Sequence, residues 1–112
     1  MSGFLKPFDV PSKLTDQAYR VSFSHLWNGI ATRHSDTVDA KFFVDGRSIL
    51  VGLAHTGFVR FRERHGRGLT DREASFIAAA YLRERLEQED ERQVYDVSES
   101  DVLRLSESFS LT

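Results

Sequence analysis

The chain has no cysteine among its 112 residues, which excludes disulfides, thiol nucleophiles and thiolate metal sites. It has only two prolines, as befits a folded domain. Long apolar runs are missing as well. The longest, Ile49 to Ala54, contains Gly52 and falls far short of the ~20 residues a membrane-spanning helix needs. The first residues show no apolar core or cleavage-like site, so no secretory leader is expected, and a cytoplasmic location without a membrane partner follows by default. A net charge of −2 and an isoelectric point near 6.1 give no electrostatic footprint for nucleic acid over the chain as a whole.

What is present fits one soluble domain. Nine phenylalanines and 40% hydrophobic residues supply a core, and 29% charged residues supply a surface. The fold is organised around residues 38–53, where two β-branched and aromatic runs flank Asp45-Gly46. That dipeptide favours a type I′ turn. A two-residue turn would set Val44 against Arg47, Phe42 against Ile49, Ala40 against Val51 and Val38 against Leu53. These apolar residues share one face, whereas Asp39, Lys41, Phe43, Ser48, Leu50 and Gly52 form a mixed second face.

Residues 1–13, with Pro7 and Pro11, read as an irregular N-terminal arm, with Phe4 and Phe8 as anchors and 14–112 as a single α+β domain. Between Tyr19 and Trp27, alternation puts Tyr19, Val21, Phe23, His25 and Trp27 on one side of a strand. A helix from Ser12 through Leu14, Ala18, Val21 and His25 competes with that reading. Asn28-Gly29 marks a turn. Thr56 can cap a short helix with Phe58, Phe61, Arg62 and His65 on one face, ending near Gly66 or Gly68; a third strand over the same stretch is the alternative.

Thr70-Asp71-Arg72-Glu73 forms a capping box, and the helix that follows carries a stripe of Ala74, Ile77, Ala78, Tyr81 and Leu82. Glu87, Glu89, Asp90 and Glu91 crowd its C-terminal end, where the macrodipole disfavours them, so fraying is expected. Gln93 to Val97 is β-like. Ser98 and Asp101 can cap a last helix using Val102, Leu105 and Phe109. The expected fold is therefore α+β: a small antiparallel sheet built on the 38–53 hairpin, with two or three helices on one face.

Charge is distributed unevenly. Residues 1–45 sum to zero, 46–72 to +4 and 73–112 to −6. The middle segment holds the strongest binding candidate, Arg60, Arg62, Arg64 and Arg67, with Phe58 and Phe61 interleaved. Planar guanidinium forks suit phosphate or nucleic acid, and aromatic rings suit bases. On a helix the phenylalanines turn inward and the arginines form a solvated stripe, or pair with the acidic 84–91 segment of the same or another copy.

The histidines His25, His34, His55 and His65 have no metal-ligand spacing, so neither metal nor cofactor is expected. His34 and Asp36, or His55, would be the residues of a small His/Asp-dependent hydrolase, but no nucleophile elbow, P-loop or dinucleotide fingerprint accompanies them. The leading expectation is a non-catalytic protein–protein interaction module, with a homodimer as one form. Its candidate interface joins Phe43 and Leu50 on the hairpin with Phe76 and Ala80 on the main helix.

Overall fold

In the computed structural model, residues 6–28 and 37–108 are described. The chain runs β1 (Phe8–Pro11), β2 (Ala18–Asn28), β3 (Thr37–Val44), β4 (Arg47–Ala54), α1 (His55–His65), α2 (Asp71–Glu87), β5 (Val94–Val97) and α3 (Glu99–Ser108). The five strands lie in one sheet in sequence order, which makes the fold α+β.

β3 and β4 pair antiparallel across a two-residue turn, with Val44 opposite Arg47 and Val38 opposite Leu53. Both turn residues take positive φ, 51° at Asp45 and 82° at Gly46, the left-handed values that a turn between right-twisted strands demands. β1, β2 and β3 extend the antiparallel order. β5 does not: it runs parallel to β4, from Leu50 opposite Val94 to Leu53 opposite Val97. The sheet is mixed rather than purely antiparallel. The chain crosses back through α1 and α2 before β5 begins, and such a crossover returns it in the direction of the strand it left.

Three further expectations are corrected. The arm is not irregular throughout, because Phe8–Pro11 is an edge strand on β2 with Val10 fully buried. Proline is tolerated at such an edge, where a missing N–H breaks no interior ladder. β2 is a strand, yet its alternation does not persist, since its register with β3 shifts between Phe23 and His25. Past this bulge Leu26 stands opposite the core residue Ala40 and His25 opposite Lys41, so one extra residue exchanges the two faces. The competing reading of a helix from Ser12 through Leu14 is not what forms: Leu14 is 60% exposed in the loop before β2.

One hydrophobic cluster joins the sheet to the helices. Val10, Tyr19, Val21, Phe42, Val51 and Leu53 from the strands meet Ala74, Ile77, Ala78, Leu82 and Leu86 of α2 and Val102 and Leu105 of α3. α2 begins as its sequence dictates. The Thr70 hydroxyl accepts from the Glu73 N–H at 3.1 Å, and the Glu73 carboxylate accepts from the Thr70 N–H at 2.9 Å. Tyr81 is only half-buried, set edge-on to Tyr95, and Leu86 replaces it in the stripe.

The far end of α2 is closed rather than frayed. Gln88 and Asp90 donate to the Arg85 carbonyl, and Glu89 donates to that of Leu86. Ser98 supplies the expected cap of α3, its hydroxyl accepting from the Asp101 N–H at 3.2 Å; Phe109 lies outside the described residues.

α1 packs closely on α3. A Cβ placed at Gly57 would sit 2.6 Å from the Cβ of Val102, so only glycine allows this approach. Gly57→Ala is therefore expected to cost about 1–3 kcal/mol through overpacking. Urea unfolding should show a lowered midpoint with an unchanged slope.

Candidate functional site

The basic segment sits on α1, and its arginines are engaged by the chain's own acids. Thr56 does not cap this helix; it lies within the first turn, and the N-cap residue Ala54 offers no side-chain bond. The helix ends at Gly66, in the left-handed conformation. Phe61 is fully buried and Phe58 half-buried, while Arg62 is exposed, off the face that the spacing assigned to it.

Arg60 donates from Nε to Glu99 at 3.2 Å and lies 3.4 Å from Glu63. Arg64 reaches Glu107 of α3 at 2.9 Å. Arg67 makes a bidentate pair with Glu73, at 2.8 and 2.9 Å, and its guanidinium stands 5.3 Å over the Phe61 ring. Among the described residues only Arg62 of the four has no ion-pair partner.

The partners are therefore α3 and the start of α2, not the 84–91 segment. That segment has its own cations: Arg104 clamps Glu84 with two bonds of 3.0 Å, Arg83 and Lys13 flank Glu87, Arg92 pairs with Asp90, and Arg47 with Glu91. The uneven charge of the sequence is thus balanced within one chain.

Among the described histidines, His55 and His65 lie at opposite ends of α1, and His25 lies on β2. His55 is exposed and stacks on Phe58 with centroids 6.3 Å apart. His65 is half-buried against Phe61, its Nε2 3.6 Å from a Glu107 oxygen. His25 lies in register with Lys41 on β3, and His34 and Asp36 fall outside the described residues. No group of three or more metal-ligating side chains is found among the described residues. No helix there is long and apolar enough to cross a membrane.

The four candidate interface residues divide into two pairs. Phe43 and Leu50 lie on the face of the sheet turned away from the core cluster, both half-buried. Their neighbours by register are Ser22 and Ser48 beside Phe43, and Lys41 and Val94 beside Leu50. The Lys41 ammonium stands 5.1 Å above the Phe43 ring, and Val94 is 38% exposed. Phe76 and Ala80 belong to α2, whose stripe packs on the opposite, inward face. Arg72 lies 5.5 Å over the Phe76 ring, and Ala80 packs against the core. The sheet separates the two pairs, so they do not form one patch.

Farther along, the outward side of the sheet turns polar, and it is buried at Asp39 and Gly52. Asp39, Gly52 and Asp96 stand in one row across β3, β4 and β5. Asp39 is fully buried and accepts from the Thr37 hydroxyl at 2.9 Å.

The sequence gives no signal for a second polar locus, a cleft of about 350 Å³ lined by Arg47, Ser48, Ile49, Glu91, Arg92 and Gln93. Its residues come from two segments that only the β4–β5 pairing brings together. Behind it runs a network from the core. Gln17 Nε2 donates to the Tyr19 hydroxyl at 2.6 Å, Tyr19 donates to Glu91 at 2.8 Å, and Arg47 donates to the other Glu91 oxygen at 3.1 Å. Burial, and then the Glu91 carboxylate, push Tyr19 up to about 12. The Tyr19 hydroxyl and then Arg47 hold Glu91 below its ordinary value.

No protein-family model matches the chain, and no curated protein or solved structure matches it significantly. The functional reading therefore rests on the site itself.

Glu73 provides a direct check on the α1–α2 charge arrangement. The Arg67 guanidinium, aided by the Thr70 N–H and opposed by burial, holds Glu73 near 2 rather than the usual 4.5. Because folding lowers this pKa, its stabilisation is complete above pH 4.5 and fades as the pH falls toward 2. In urea titrations at pH 7 and pH 3, Glu73→Gln should therefore reduce the difference between the two stabilities. Thr70→Ala should cost about 1 kcal/mol at pH 7.

Proposed function

We propose that this protein is a non-catalytic protein–protein interaction module that self-associates through the outward face of its sheet. The observation that carries this reading is that Leu50 and Val94 stand side by side on β4 and β5, with Phe43 of β3 diagonal to Leu50 on the same face. Strand backbones already paired on both sides hold Phe43 and Leu50, so little order is lost when a partner arrives. Small polar neighbours, Ser22 and Ser48, leave room for a facing side chain. In this reading the 38–53 hairpin is the frame and the helices share its inward face, which leaves the outward face for contact. A two-fold arrangement would set Phe43 and Leu50 of one copy against the same residues of the next.

Binding of phosphate or nucleic acid through Arg60, Arg62, Arg64 and Arg67 is the weaker reading, because three of the four guanidinium groups already hold carboxylates. A polyanion would have to displace Glu99, Glu107 and Glu73. Of the residues a His/Asp-dependent hydrolase would use, His34 and Asp36 lie outside the described residues, and His55 is exposed and stacked on Phe58.

Sedimentation velocity over a concentration series tests the proposal. The unaltered chain should pass from monomer to dimer, and Leu50→Lys should weaken the association by roughly 30-fold, the equivalent of a loss of about 2 kcal/mol at an interface centre. Unfolding stability should stay within about 0.5 kcal/mol, as for a surface change. A concentration-independent monomer for the unaltered chain would remove self-association.

A further inference from the structure

We infer that the cleft beside the start of β4 is a binding site for a small carboxylate carrying a short apolar body. Strand pairing supplies the first reason. β5 joins β4 only from Leu50 onward, where the Leu50 N–H donates to the Gln93 carbonyl at 2.8 Å. In an antiparallel pair closed by a two-residue turn, the residues flanking the turn exchange both backbone bonds, and the next pair does not. Arg47 therefore spends its backbone groups on Val44, and Ser48 directs its N–H and carbonyl away from β3, toward the cleft. The strand thus ends its pairing with one N–H open to an incoming acceptor.

The two guanidinium groups supply the second reason. Arg47 gives Nη2 to Glu91, whose other oxygen is fixed by the buried Tyr19, so the orientation of the group is anchored in the core. Arg92 gives Nε to Asp90 at 3.0 Å, which leaves both of its terminal nitrogens for another acceptor. The backbone between them is held too: the Arg92 N–H donates to the Tyr95 hydroxyl at 2.9 Å, and that hydroxyl donates to the Asp90 carbonyl at 2.8 Å. Each arginine has spent one edge of its fork and keeps the rest.

Charge and size select the ligand class. Arg47 with Glu91 and Arg92 with Asp90 balance each other's charge, so the guanidinium edges left over suit a monoanion better than a phosphate dianion. A carboxylate accepts bidentate bonds from guanidinium and a further bond from a backbone N–H. The aliphatic stems of Arg47, Arg92 and Gln93 supply the apolar contact, since Ile49 is a core residue only 4% exposed, and about 350 Å³ lies at the small end of ligand pockets.

The test is an amide and arginine-Nε NMR titration of the full chain with sodium isobutyrate at constant ionic strength, with sodium phosphate and sodium chloride as parallel arms. Saturable shifts at Ser48, Gln93 and the Nε of Arg47 and Arg92 are expected with isobutyrate, at a dissociation constant on the order of 1 mM. Arg47→Gln and Arg92→Gln should each weaken binding about tenfold, the loss expected for one charged hydrogen-bond partner, while Arg62→Gln leaves it unchanged. The inference is overturned by shifts that do not saturate, by equal response to chloride, by tighter binding of phosphate, or by shifts centred on residues 60–67.

Discussion

The inward face of the sheet is the constraint on which everything else depends. Val21, Phe42, Val44, Val51 and Leu53 are buried there, and no isolated sheet keeps such a face in water. α2 covers it, touching β1, β2, β4 and β5, and its position is fixed at both ends by polar bonds. At the start stand Thr70, Glu73 and Arg67. At the finish the acids expected to destabilise the helix work as acceptors. Ser12 and Thr15 both donate to Glu89 at 2.6 Å, Tyr19 donates to Glu91, and the Lys13 N–H donates to the Glu87 carbonyl. The loop before β2 is thereby tied to the loop after α2, and Glu89 is held below its ordinary pKa by those two hydroxyls.

Charge is used in the same way over the rest of the surface. The basic middle of the sequence and its acidic end neutralise each other along α1, α2 and α3. Exposed pairs of this kind stabilise by only about 0–1 kcal/mol each, so their number says little about stability. Their bearing on function is greater. An arginine already holding a carboxylate in bidentate geometry, as Arg67 holds Glu73, is a poor starting point for a nucleic-acid surface. Arg47 and Arg92 differ from Arg67 in being held through one edge only, and from Arg60 and Arg64 in lining a cleft.

Local features were readable from the sequence where neighbours along the chain determine them. The Thr70–Glu73 box needs only a spacing of three, and the α2 stripe only the helical period. Phe43 and Leu50 separate from the inward set by alternation alone. Non-local features were hidden. The parallel direction of β5 depends on where two helices return the chain, which the residues 93–97 do not encode. The bulge between Phe23 and His25 is forced by register with β3, and it moves His25 off the face that simple alternation gives it. Thr56 is a good capping residue in the wrong place, because β4 runs directly into α1 and leaves Ala54 at the boundary. Arg47 and Arg92 were invisible as a pair because they lie in separate segments joined only by the β4–β5 ladder.

The outward sheet face, and not the arginine-rich helix, is the proposed place where this protein meets a partner. A dilution series followed by amide chemical shifts examines both surfaces at once, in one sample. The expected result is concentration-dependent shifts clustered at Lys41, Phe43, Ser48, Leu50 and Val94, with residues 60–67 unmoved. Shifts clustered at 60–67, or a spectrum that does not change with concentration, would contradict it.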